Sequence, residues 1–114
     1  MEIKILENQV TRNELAVVAA GQFGEWIKAA VDVERGVMAI GGELHADMEA
    51  VLLGQGSAQE NVWGINLYPE QADESWIEFN SMINVRPSQG NRSRGVENLE
   101  IRGKIKDVVK KLVI

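Results

Sequence analysis

Three stretches of the chain carry side chains able to do chemistry. The first is Gly41-Gly42-Glu43-Leu44-His45-Ala46-Asp47-Met48-Glu49, which holds the only histidine. Extended, it would point Glu43, His45 and Asp47 the same way; helical, it would put His45 and Glu49 on one face. An imidazole beside a carboxylate is an acid–base pair, because the carboxylate orients the ring and raises its pKa. His45, Asp47 and Glu43 are therefore the catalytic candidates. A mixed imidazole–carboxylate set also suits a metal, but no metal signature is matched and no ligand is assigned. The plainer alternative is a helix start, where Asp47 and Glu49 favour the positive end of the dipole.

The second stretch runs from Asn84 to Gly95, with three arginines, two serines and almost no apolar side chain. Guanidinium forks fit phosphate or carboxylate two bonds at a time, and Gly and Ser let backbone N–H groups converge on the same anion. Arg86, Ser88, Asn91, Arg92 and Arg94 are thus expected to bind an anionic ligand. The G-x-x-x-x-G-K-[ST] order of a P-loop is absent. The alternative is a surface loop whose arginines pair with acids elsewhere.

The third is the polar side of a strand pair: Asn66, Tyr68, Trp76, Glu78, Asn80, Met82 and Asn84. Three asparagines with aromatics and a methionine read as a surface that is touched, so Asn66, Glu78, Asn80 and Asn84 join the ligand-binding candidates. Trp26 fits the same idea. A surface of this kind serves a homodimer or partner protein equally well. Serine nucleophiles are set aside, since none has a nucleophile-elbow context and only His45 could be their base. Paired-carboxylate chemistry with Glu43, Asp47 and Glu78 lacks any fixed separation.

The elements that must position these groups follow from periodicity. Glu2–Leu6 reads as a short strand. Thr11 with Glu14 is a capping-box pattern opening a helix over Thr11–Ala20 that ends at Gly21. Trp26–Val33 and Val37–Ile40 alternate as strands, joined by Glu34-Arg35-Gly36. A helix is predicted from about His45 to Leu53, broken by Gly54-Gln55-Gly56. Val62–Tyr68 and Trp76–Val85 read as a second hairpin with Trp63, Ile65 and Leu67 inward and Asn66 outward. Trp76 is expected outward there too, with Ile77, Phe79, Ser81, Ile83 and Val85 inward. Val96–Val113 is amphipathic, with Ile101, Ile105, Val108 and Leu112 on one face. The order β-α-β-β-α-β-β-α predicts an α+β two-layer domain over 1–114. Its antiparallel sheet is built from two hairpins plus an N-terminal strand, with helices on one face.

The 114 residues are 45% hydrophobic and 25% charged, which argues against disorder. With no cysteine, disulfides, thiolate metal sites and thiol nucleophiles are excluded. No cofactor is indicated. No apolar run reaches the roughly 18 residues of a membrane span, and MEIKILENQ lacks a signal-peptide layout, so a cytoplasmic protein with no membrane partner is expected. The net charge of −5 divides unevenly: residues 1–85 hold four bases against fourteen acids, and residues 86–114 hold eight against three. The acidic body can neutralise the basic end by folding against it, and the overall negative field opposes nucleic-acid binding, which is not expected.

Three runs, VDVERGVMAIGGELHAD (31–47), WGINLYP (63–69) and WIEFNSMINVRPSQGNRSR (76–94), resemble a family of small uncharacterised prokaryotic proteins filed as a domain of unknown function. The R-P-S-Q-x-N-R-S stretch, Arg86 to Ser93, is the most distinctive part. The resemblance implies a stand-alone prokaryotic protein and transfers no activity. The functional expectation is a small-anion-binding domain, with hydrolase-like chemistry if His45 has an acidic partner. The alternative is an interaction or homodimerisation module without catalysis.

Overall fold

A computed structural model describes residues 2–114. One antiparallel sheet of five strands runs in the order β1-β3-β2-β4-β5, where β1 is Lys4–Leu6, β2 Ile27–Asp32, β3 Val37–Ile40, β4 Val62–Leu67 and β5 Ile77–Glu78. The helices are α1 (Arg12–Ala20), α2 (His45–Gly54) and α3 (Leu99–Leu112). The α+β class and the antiparallel sheet are those expected from the sequence.

Local chemistry sets the boundaries. The Thr11 hydroxyl accepts the Glu14 N–H at 3.0 Å and opens α1. Asn98 does the same for α3, accepting from Glu100 and Ile101. Between β2 and β3, one Asp32 carboxylate oxygen takes the N–H groups of Glu34 and Arg35, both at 2.9 Å, and Gly36 supplies φ 70°. The ends of the fold meet where Val10 pairs in parallel with Val113, with N–H groups of Val10 and Ile114 bonded to Leu112 and Val10 at 2.8 and 2.9 Å.

The helices divide between the two sheet faces. On one, α1 and α3 close over Ile27, Ala29, Val31, Met38 and Ile65; burying Ile105, Val108, Val109 and Leu112 of α3 contributes about 1.5–3 kcal/mol each before entropy. On the other, Met48 and Leu52 of α2 lie against Ala30, Val37, Ala39 and Val62. A single helical layer was the sequence expectation, but every residue of β3 is buried. A strand apolar on both faces needs cover on both. The small Ala30 and Ala39 side chains leave room for α2 on the second face.

The second hairpin departs most from the expected pattern. Strand β5 is two residues long, not ten, and the chain from Asn80 folds across the second face in short 3-10 turns at 82–84 and 87–89. The cause lies at Gly64. Its N–H donates to Asn84 Oδ1 at 2.8 Å and its carbonyl accepts from Asn84 Nδ2 at 2.9 Å, so a side-chain amide takes the place of a neighbouring strand. A Cβ on residue 64 would stand 2.5 Å from that of Ser81, so only glycine admits this crossing. Trp76, expected outward, is buried in the first core beneath the Arg12 guanidinium, 3.9 Å from its ring centroid.

Candidate functional site

Register assembles the site. Lys28 of β2 pairs with Asn66 of β4, which pairs with Glu78 of β5, and alternation turns all three to the α2 face of the sheet. The next row holds Trp26 beside Tyr68, rings 6.1 Å apart, with Phe23 stacked on Trp26 at 4.5 Å. The turn Gly41-Gly42 leads into α2, whose first residue, His45, sits with Nε2 2.9 Å from the carbonyl oxygen of Ile65. The site is thus a cation, an amide and a carboxylate in a line, with an imidazole beside the amide and aromatics at the end.

A carbonyl oxygen only accepts, so Nε2 of His45 carries the proton and Nδ1 is the basic nitrogen. Burial pushes the imidazole below its ordinary value, and the charges of Lys28 and Arg94 push the same way; the Ile65 and Asn66 contacts oppose them. Lys28 and Arg94 enter no ion pair among the described residues. The Lys28 ammonium instead lies 5.2 Å from the Phe23 ring centroid. Asn66, 5% exposed, donates to Glu78 Oε1 at 2.8 Å and the Asn80 carbonyl at 3.2 Å, while its own buried carbonyl oxygen faces the His45 imidazole. Burial first, and then Glu78, raise the Tyr68 phenol, which stays protonated and lies 3.5 Å from the same Glu78 oxygen. No side chain caps α2, so the positive end of its dipole opens beside His45.

Of the catalytic candidates, only His45 is engaged. Asp47 and Glu43 are exposed in and before the first turn of α2, and neither partners the ring, so the expected imidazole–carboxylate pair is not formed. Asn66, Glu78 and Asn80 do come together.

The arginine loop behaves differently from expectation. Arg86 is buried and meets five acceptors: Ile83 O at 2.9 Å, Gln59 O at 2.8 Å, Gln89 Oε1 at 3.4 Å, Glu49 Oε2 at 3.1 Å, and Val62 O. Those are as many as a guanidinium has N–H groups, so none is left to anchor a ligand. Asn84 and Asn91 are buried as well; Asn91 donates to Asn84, Ser93 and Gly95 carbonyls and accepts the Glu97 N–H. The N–H groups of Arg92 and Ser93 do converge on an anion, but it is the Glu97 carboxylate, at 2.8 Å from each. Those bonds hold Glu97 below the usual carboxylate range. Ser88 and Arg92 side chains are exposed, and only Arg94 reaches the His45 site electrostatically.

Lys28 was the residue missed. Its signal was a lysine inside the strand IKAAVD, otherwise apolar up to Asp32, on the same face as Trp26. A separate groove of about 600 Å³ lies between α3 and the 72–77 segment. Its Arg12, Lys106 and Lys110 are balanced by Asp73, Glu74 and Asp107, and Arg12 and Lys106 already have partners there. Among the described residues no cluster of three His, Asp or Glu is placed to hold a metal, and no helix is long and apolar enough to cross a membrane.

The chain belongs to a family described as proteins of unknown function (DUF5674), whose model matches residues 4–112. No curated protein and no solved structure matches it.

Proposed function

We propose that this family member binds a small anionic ligand on the α2 face of the sheet, with Lys28, Arg94 and the open start of α2 receiving the negative group. The observation that carries the reading is Lys28, turned to the same sheet row as Asn66 beside His45 and without an ion pair among the described residues. Two cations without ion pairs in a chain of net charge −5 support an anion there. His45 Nδ1 is the proton acceptor, so general-base chemistry of the hydrolase type runs through the imidazole alone. A cytoplasmic, prokaryotic setting is part of the proposal, supported by the composition and the resemblance.

Titration of ¹⁵N-labelled protein with inorganic phosphate and with acetate tests it. The expected result is saturable movement of the Asn66 side-chain amide together with the amides of residues 43–49. The absence of shifts there at millimolar anion overturns the proposal.

A further inference from the structure

The row beside the polar line asks what else the ligand carries. Phe23, Trp26 and Tyr68 are half of the chain's six aromatic residues, and they stack in series at the end of the row of Lys28, Asn66 and Glu78, with Tyr68 also packed against the first core. Phe23 and Trp26 belong to neither core, and Phe23 is 37% exposed. The two rows are joined twice: Lys28 rests by the Phe23 ring, and Tyr68 reaches Glu78 Oε1, the oxygen that also holds Asn66. They lie two residues apart along the strands, about 7 Å. A polar head above Asn66 therefore has an aromatic wall one short linker away.

We infer, on the basis of the anion-binding reading, that the ligand is a ring-bearing acid: a planar ring packed against Trp26 and its neighbours, joined through one or two atoms to a carboxylate or phosphate at Lys28 and Arg94. Aromatic contacts of this kind are edge-to-face or offset, and their worth corresponds to about a threefold to tenfold gain in affinity.

The test compares matched probes on the full chain: phenyl phosphate against inorganic phosphate, and phenylacetate against cyclohexylacetate. Binding is read by amide shifts and by tryptophan emission. Trp63 is 1% exposed and Trp76 lines the separate groove, so an emission change that Trp26→Ala abolishes reports Trp26. The expected result is threefold to tenfold tighter binding of the ring-bearing member of the phosphate pair, a preference for phenylacetate over its saturated counterpart, and an emission change. Trp26→Ala brings both ratios close to one. Equal affinities within the pairs in the unaltered protein overturn the ring while leaving the anion site standing. A ring preference that survives Trp26→Ala places the ring elsewhere and also overturns it. No binding by any probe overturns the anion site itself. The unaltered protein decides the question even if the variant fails to fold.

Discussion

The arginine loop and the His45 face are both polar, both crowded with donors, and opposite in how they are completed. In the loop the buried donors meet protein acceptors: Arg86 has five, Asn91 donates to three carbonyls, and the backbone amides of Arg92 and Ser93 share Glu97. On the His45 face the groups are close but incomplete, with Lys28 and Arg94 lacking ion pairs among the described residues. Abundance of chemistry-bearing residues is thus a poor guide to a site. What distinguishes one is the residue of interactions the fold leaves unmade.

The comparison breaks first at Arg86. Arg86→Ala leaves Glu49 and several buried carbonyls unmet and is expected to cost about 3–5 kcal/mol in urea denaturation. Arg86→Lys should recover only part, since an ammonium offers three donors where five acceptors wait. Asn84→Ala comes next: it strips both ladder groups of Gly64 and should cost about 1–3 kcal/mol. Were either variant as stable as the parent, the loop would not be the self-satisfied structure described.

Smaller effects sharpen the other side. Since His45 is held below its ordinary value in the folded chain, the unfolded chain takes up the proton first as pH falls. Its contribution to stability is therefore complete above the ordinary value of 6.5 and declines as pH drops through it toward the folded value. Denaturation at about pH 7.5 and about pH 5.5 should show a loss that His45→Gln reduces. Glu97 does not contribute in that window, because its depressed value moves its own loss to more acidic pH. Lys28→Ala should change stability by less than about 0.5 kcal/mol. It should nevertheless raise the titration midpoint of the single histidine, read from its ring proton. An unmoved midpoint would remove Lys28 from the site.

Much of the fold was legible because period and caps are local: Thr11, the Glu34–Gly36 turn and the α3 stripe all read directly from neighbours in sequence. The short β5 was not. Alternation continues through Phe79, Ser81 and Ile83, but pairing ends because Asn84 reaches Gly64, a contact twenty residues away that no local pattern encodes. At the site, His45, Asn66, Glu78 and Asn80 were visible by type. Arg86 was visible as an arginine, yet its partners come from Gln59, Val62 and Glu49, and only the folded chain shows that they use up its donors.

Glu97 has one more consequence, in the language of competition. A carboxylate four residues from the Ser93 amide that it serves is a tethered ligand, and short tethers give effective concentrations in the millimolar range or above. A free anion must outbid that local concentration to enter the nest, whereas Lys28 and Arg94 enter no ion pair among the described residues. The chain therefore settles occupancy at the loop by sequence: its nest comes with its tenant built in, and the proposed anion site is the one left to a free ligand.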